Sequence, residues 1–187
     1  MDALVTAFVA AALAEWGDKT QLVVAFLAAR SGRPGTVLAG LLAAAIVSNV
    51  VAALAGDVVA QMITVQAMTL LVAVALLFAG VAGLIRREPP PLGSTRTPLF
   101  LAALILSLAA ELGDRTQFLA FALGGRFGFP WLTAAGGAAG ILAACVPAAA
   151  LGERIRDVVP VRVVRYVGAA LFLVAGFIIA VSALRLT

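Results

Sequence analysis

The sequence predicts an all-α integral membrane protein with six transmembrane helices arranged as two inverted three-helix repeats. Three observations carry this expectation. Of 187 residues, 64% are hydrophobic and only 12% charged, with a mean hydropathy of +1.14, far from the balance of a soluble domain. Six apolar runs follow one another with short connections, each close to the roughly 20 residues that an apolar helix needs to cross a bilayer. A polar string also occurs twice at a fixed offset, the mark of an internal duplication.

Glycine, proline and charge divide the chain into apolar runs at 3–29, 35–56, 63–85, 98–124, 130–151 and 162–184. The first run is interrupted by Glu15, Asp18 and Lys19. It lacks the basic start and unbroken core of a cleaved signal peptide and is expected to remain as a permanent first span. The longest polar break runs from Arg86 to Thr97 and contains Pro89, Pro90 and Pro91, which cannot continue a helix and read as an extended linker. The expected organisation is therefore a first repeat over 1–86, a proline-rich cytoplasmic linker over 87–97 and a second repeat over 98–187, leaving no room for a separate soluble domain.

Shifting the chain by 96 positions places Glu15 on Glu111, Gly17 on Gly113, Asp18 on Asp114, Lys19 on Arg115, Thr20 on Thr116 and Gln21 on Gln117. The same shift pairs Gly40 with Gly136, Gly56 with Gly152, Asp57 with Glu153 and Ala79-Gly80 with Ala175-Gly176. Shared alanine content can fake apolar matches, but it cannot place that polar string twice at one offset.

Arg30 and Arg33 follow the first run, Arg86, Arg87 and Arg96 the third, and Arg154, Arg156, Arg162 and Arg165 the fifth. The opposite side holds only Arg126 and Arg185, so the positive-inside rule puts both termini outside a cytoplasmic membrane. With three spans per repeat, the second half must enter from the opposite face, the architecture that secondary transporters use to build a site near the midplane. The basic excess, 13 Lys and Arg against 9 Asp and Glu, thus reads as topology and not as a nucleic-acid surface.

The doubled string sits where charge is most costly. Glu15 follows the run Ala3–Ala14 and Gln21 precedes Leu22–Ala29, so both lie near mid-bilayer, where a carboxylate costs at least about 2.5 to 3.5 kcal/mol. Glu15, Asp18, Glu111 and Asp114 therefore need partners, protons or bound cations. On a continuous helix, acids three positions apart fall roughly 60° apart on one face. With Thr20, Thr116, Gln21 and Gln117 they form an all-oxygen set suited to a hard divalent ion such as Mn²⁺, Ca²⁺ or Mg²⁺. There is no histidine and one cysteine, Cys145, so zinc sites, soft-metal sites and a disulfide framework are excluded. The two strings together carry four acids and two bases, a net charge that one divalent ion neutralises. Protons can replace the ion when it leaves, because desolvation and mutual repulsion disfavour crowded carboxylates in their charged form. Gly17 and Gly113, between the acids, would let the helix loosen or another backbone approach. The bland alternative is that Glu15 with Lys19, and Glu111 with Arg115, are i,i+4 ion pairs that only hold helices together, though Asp18 and Asp114 would then remain uncompensated. Ser48 and Asn49 are polar residues in the middle of the second run, suited to bonding a neighbouring helix or, less readily, to lending an oxygen to the site.

Glu15-Trp16-Gly17-Asp18-Lys19-Thr20 and Glu111-Leu112-Gly113-Asp114-Arg115-Thr116 resemble the signature of the GDT-one family of cation/proton antiporters, and the resemblance spans the whole chain. It implies two related halves, exchange of Mn²⁺ or Ca²⁺ for protons, and Glu15, Asp18, Glu111 and Asp114 as cation ligands and proton carriers, with Thr20, Thr116, Gln21 and Gln117 beside them. No cofactor is implied beyond the transported ion; the partners are divalent cations, protons and the lipid bilayer. The absence of an extra leading span or acidic central loop resembles a minimal prokaryotic form. Two other classes stand against a carrier: a passive cation channel with an acidic selectivity ring, and an intramembrane acid-dyad protease, which the lack of a Gly-x-Gly-Asp pattern disfavours. The residues leave open Mn²⁺ against Ca²⁺, H⁺ against Na⁺, and the oligomeric state.

Overall fold

A computed structural model of the chain describes residues 1–85 and 97–184. Among them the secondary structure is entirely helical: α1 Asp2–Glu15, α2 Lys19–Ser31, α3 Pro34–Ala60, α4 Val65–Leu84, α5 Leu99–Glu111, α6 Arg115–Phe127, α7 Pro130–Leu151, a 3-10 turn Gly152–Arg154, α8 Ile155–Val158 and α9 Val161–Ala183. Four of these, α3, α4, α7 and α9, are long and apolar enough to cross a membrane. They coincide with the second, third, fifth and sixth apolar runs. The expected linker lies almost wholly outside the described residues, as do Arg86, Arg87, Arg96 and Arg185.

The first and fourth runs differ from expectation, since neither is one helix. Each is two short helices joined at the polar string, with the break falling between its two acids. Trp16 leaves the helical region at ψ 121° and Asp18 caps α2 from extended backbone, its carboxylate accepting the Lys19 N–H at 2.7 Å. Leu112 and Asp114 repeat that path with ψ of 117° and 166°. Gly17 and Gly113 both stand at φ 72°, a left-handed conformation that glycine adopts without a Cβ penalty. Glu15 and Asp18 therefore do not share a continuous helix face; one ends a helix and the other begins the next.

The remaining boundaries follow ordinary capping chemistry. α2 and α6 end at Gly32 and Gly128, both left-handed, with each N–H returning to a carbonyl four residues back. Pro34 and Pro130 then open α3 and α7 in the first helical turn, where a missing N–H costs nothing.

Packing is turned inside out relative to a soluble protein. The buried set is dominated by alanines, with glycines on the contact faces, while Val174, Phe177 and Ile178 of α9 and Val47 and Val51 of α3 are exposed. Such an exterior is matched to lipid, and small residues inside let backbones approach closely. A Cβ on Gly136 would overlap the Leu4 carbonyl, one on Gly140 the Phe8 carbonyl, and one on Gly56 the Phe121 carbonyl. These approaches join different sequence halves: α1 lies against α7, α4 against α9, and α3 against α5, α6 and α7. The halves interlock, so residues at both helix breaks meet in the interior.

Candidate functional site

Where α1 gives way to α2 and α5 to α6, the polar residues of both strings converge. Glu15, Asp18, Thr20, Gln21, Glu111, Arg115 and Thr116 are each no more than 3% exposed, and Asp114 is 8% exposed. Burial of so many polar groups is tolerable only if they satisfy one another, and most of the bonds that do so cross between halves. The Thr20 hydroxyl donates to Glu111 Oε1 at 3.0 Å, and the Thr116 hydroxyl donates to Glu15 Oε2 at 3.5 Å. Arg115 Nε stands 3.1 Å from Asp18 Oδ2.

The bland alternative, an i,i+4 pairing of Glu111 with Arg115, gives way to this cross-half pair. Breaking the helix at Gly113 removes the turn that would have stacked the two residues, and Asp18 is thereby compensated. Glu15 Oε1 and Glu111 Oε2 accept no hydrogen bond, so each glutamate keeps a free acceptor oxygen inside the protein. All four acids lie within electrostatic reach of one another. Among the described residues, however, no three acids stand close enough to form a ready-made metal cluster.

The two glutamines hold the breaks open. Gln21 Oε1 accepts the Gly17 N–H at 3.0 Å, and Gln117 Oε1 accepts the Gly113 N–H at 2.8 Å. Each amide thus satisfies a backbone donor that the interrupted helix leaves without its usual carbonyl. Gln21 also donates through Nε2 to Ala144 O of α7 at 2.8 Å. Asn49 and Ser48 are buried, and Asn49 Nδ2 donates to Ala45 O within its own helix. Its carbonyl oxygen fills the space left by the absent side chain of Gly137 on α7.

The surroundings of the two strings differ. A cavity of about 540 Å³ opens beside Gly113, Asp114 and Gln117, walled by Val51, Ala52, Ala55, Phe78, Phe118 and Phe121. Nothing lies within 4 Å of a Cβ built on Gly113. At Gly17 the same position is covered by the first turn of α9, with Val161 Cγ1 at 3.1 Å and Arg165 Cδ at 3.2 Å. The second string borders this cavity, whereas the glycine of the first is covered by α9. The vestibule aromatics and the α9 cap are absent from the doubled motif itself; their signal is failure of the duplication, because Phe118, Phe121 and Arg165 fall on Leu22, Ala25 and Thr69.

The sequence model of a family described as divalent cation/proton antiporter GDT1 matches residues 3–90 and again residues 99–186. A protein of Vibrio cholerae serotype O1 described as "Putative manganese exporter" is 34% identical over 179 residues, covering 92% of this chain and 88% of its own length. No solved structure matches the chain.

Proposed function

Because the chain belongs to the divalent cation/proton antiporter GDT1 family, we propose that it exchanges Mn²⁺ for protons through the four carboxylates gathered at its two helix breaks. Membership makes it a multi-pass membrane transporter and not an enzyme, with divalent cations as cargo. The further steps are our reading. α1 with α2, and α5 with α6, each cross the membrane as one broken span, giving six crossings in two inverted repeats with both termini outside.

The observation that carries the reading is the reciprocal reach of each string into the other: Thr20 to Glu111, Thr116 to Glu15, Arg115 to Asp18. It puts acids from both halves at one interior place while leaving a free oxygen on each glutamate. Glu15, Glu111, Asp18 and Asp114 then supply the charge, Thr20 and Thr116 supply neutral oxygens, and Gln21 and Gln117 keep the breaks in shape. A hard, flexible-coordination ion fits such a set. Loading draws the carboxylates inward and unloading lets protons replace the ion, since uncompensated buried carboxylates are costly. Mn²⁺ is the favoured cargo through the relative's description; Ca²⁺ is the alternative with the same ligand chemistry.

The unequal surroundings of the two strings favour a carrier over a channel. The cavity beside Gly113 is lined by Asp114 and Gln117, while the duplicate position at Gly17 is covered by α9. The reading is tested in proteoliposomes by imposing a pH gradient with no Mn²⁺ gradient. Antiport drives Mn²⁺ against its gradient and stops when a protonophore collapses the pH difference; Mn²⁺ that merely equilibrates defeats it.

A further inference from the structure

Within the site, one buried charge belongs to neither cargo nor ligand set. Arg115 is 3% exposed and lies against Asp18 of the opposite half, 3.1 Å from Nε to Oδ2. The contact is electrostatic more than directional, for Nε makes no directed hydrogen bond. On its other side the guanidinium reaches α4. A Cβ built on Gly83 would come within 3.0 Å of Ala169 Cβ on α9 and 3.2 Å of Arg115 Nη1, so the missing side chain there leaves a slot, bounded by Ala169, that the guanidinium enters. The duplication does not repeat this slot. Gly83 falls on Ile179, and Arg115 falls on Lys19, which is only half-buried.

We propose that Arg115 is a tethered counter-ion that competes with the transported cation for Asp18 and withdraws toward the Gly83 slot when the cation loads. Removing one partner of a buried ion pair leaves an uncompensated charge, which is strongly unfavourable. A guanidinium on Asp18 covers that charge in the unloaded protein, and an arriving divalent cation covers it in the loaded one. The exchange has two consequences. It weakens binding by the strength of the Arg115–Asp18 pair, and it assists release, because the guanidinium returns as the ion departs. Arginine suits the task better than lysine: its charge is permanent and spread over a planar fork that can touch Asp18 through Nε while Nη1 occupies the slot.

This inference rests on the transport reading and is tested beside it. Mn²⁺ uptake is measured in proteoliposomes for wild type, Arg115→Gln and Gly83→Ala, each first shown to be folded by its melting profile. Arg115→Gln removes the competitor, so the half-saturating Mn²⁺ concentration falls about tenfold, the shift for one pair worth about 1.4 kcal/mol, while the maximal rate drops. Gly83→Ala narrows the slot and holds the guanidinium on Asp18, so half-saturation moves the opposite way. If Arg115→Gln does not fold, the double variant Asp18→Asn with Arg115→Gln removes both charges together, and Gly83→Ala still reads the slot. A Gly83→Ala variant that is folded but unchanged in half-saturation, or shifts of the same sign in Arg115→Gln and Gly83→Ala, overturns the proposal. A wild type that moves no Mn²⁺ removes instead the transport reading beneath it.

Discussion

Thr20→Val and Thr116→Val are equivalent by duplication yet are expected to differ in effect. Valine has nearly the volume of threonine, so the substitution deletes a hydroxyl with little change in packing. Thr20 donates to Glu111 at 3.0 Å, a well-formed bond and the only one that Glu111 accepts from a side chain among the described residues. A hydrogen bond to a charged group is worth about 1.5 to 3 kcal/mol, which at 1.4 kcal/mol per decade is roughly 10- to 150-fold in an equilibrium. Thr116 stands 3.5 Å from Glu15, at the outer limit of a hydrogen bond, and its loss is expected to shift the same equilibrium by no more than about threefold. The assay is half-saturation of Mn²⁺ uptake in proteoliposomes, with reconstituted protein quantified in parallel. Half-saturation should rise by a decade or more in Thr20→Val and little in Thr116→Val, because only the first frees a ligand that the protein now holds in place. Equal effects, or a larger one in Thr116→Val, would refute the reasoning that the cross-half threonine bonds position the glutamates.

Three further outcomes follow from the packing and the asymmetry. Gly56→Ala puts a methyl into the backbone of Phe121 on α6, a clash that no rotamer relieves and that costs about 1 to 3 kcal/mol or more; thermal melting in detergent should fall, whereas Gly35→Ala, with open space around it, should melt at or above wild type. Gly17→Ala and Gly113→Ala share a left-handed strain of roughly 1 to 2 kcal/mol, but only Gly17→Ala also crowds Val161 and Arg165, so its melting point should be the lower of the two. In a Cys145→Ala background, Ala55→Cys on the vestibule wall should react with a water-soluble maleimide while Ala148→Cys, at the duplicate position of Ala52 and fully buried, should not; equal labelling would remove the one-sided opening.

Much of this arrangement is legible in the sequence because charge in an apolar run has few explanations. The doubled acid string, its offset and its burial follow from hydropathy and duplication alone. The helix break at each string is less legible. Gly17 and Gly113 signal freedom, but freedom alone does not distinguish a pliable continuous helix from two helices with a left-handed joint. What decides it is partly local and partly tertiary: Gln21 and Gln117 fold back onto the glycine N–H groups four residues earlier, and partners on the opposite half take up the carboxylates. The ion-pair register shows the same limit. Spacing suggests Glu111 with Arg115, whereas three-dimensional convergence gives Arg115 to Asp18. The unequal surroundings of the two strings are the least legible, since the strings are near copies and their difference arises from α9 covering one glycine while its duplicate, α4, leaves the other open.

The central claim is that buried carboxylates couple cation movement to proton movement. Its most direct test loads proteoliposomes with a pH dye and a Mn²⁺ dye together and compares wild type with Glu111→Gln. Wild type should show Mn²⁺ entry matched in time by proton exit, with both signals lost in Glu111→Gln at equal reconstituted protein. Mn²⁺ entry without proton exit in wild type, or undiminished coupled flux in Glu111→Gln, would contradict the account.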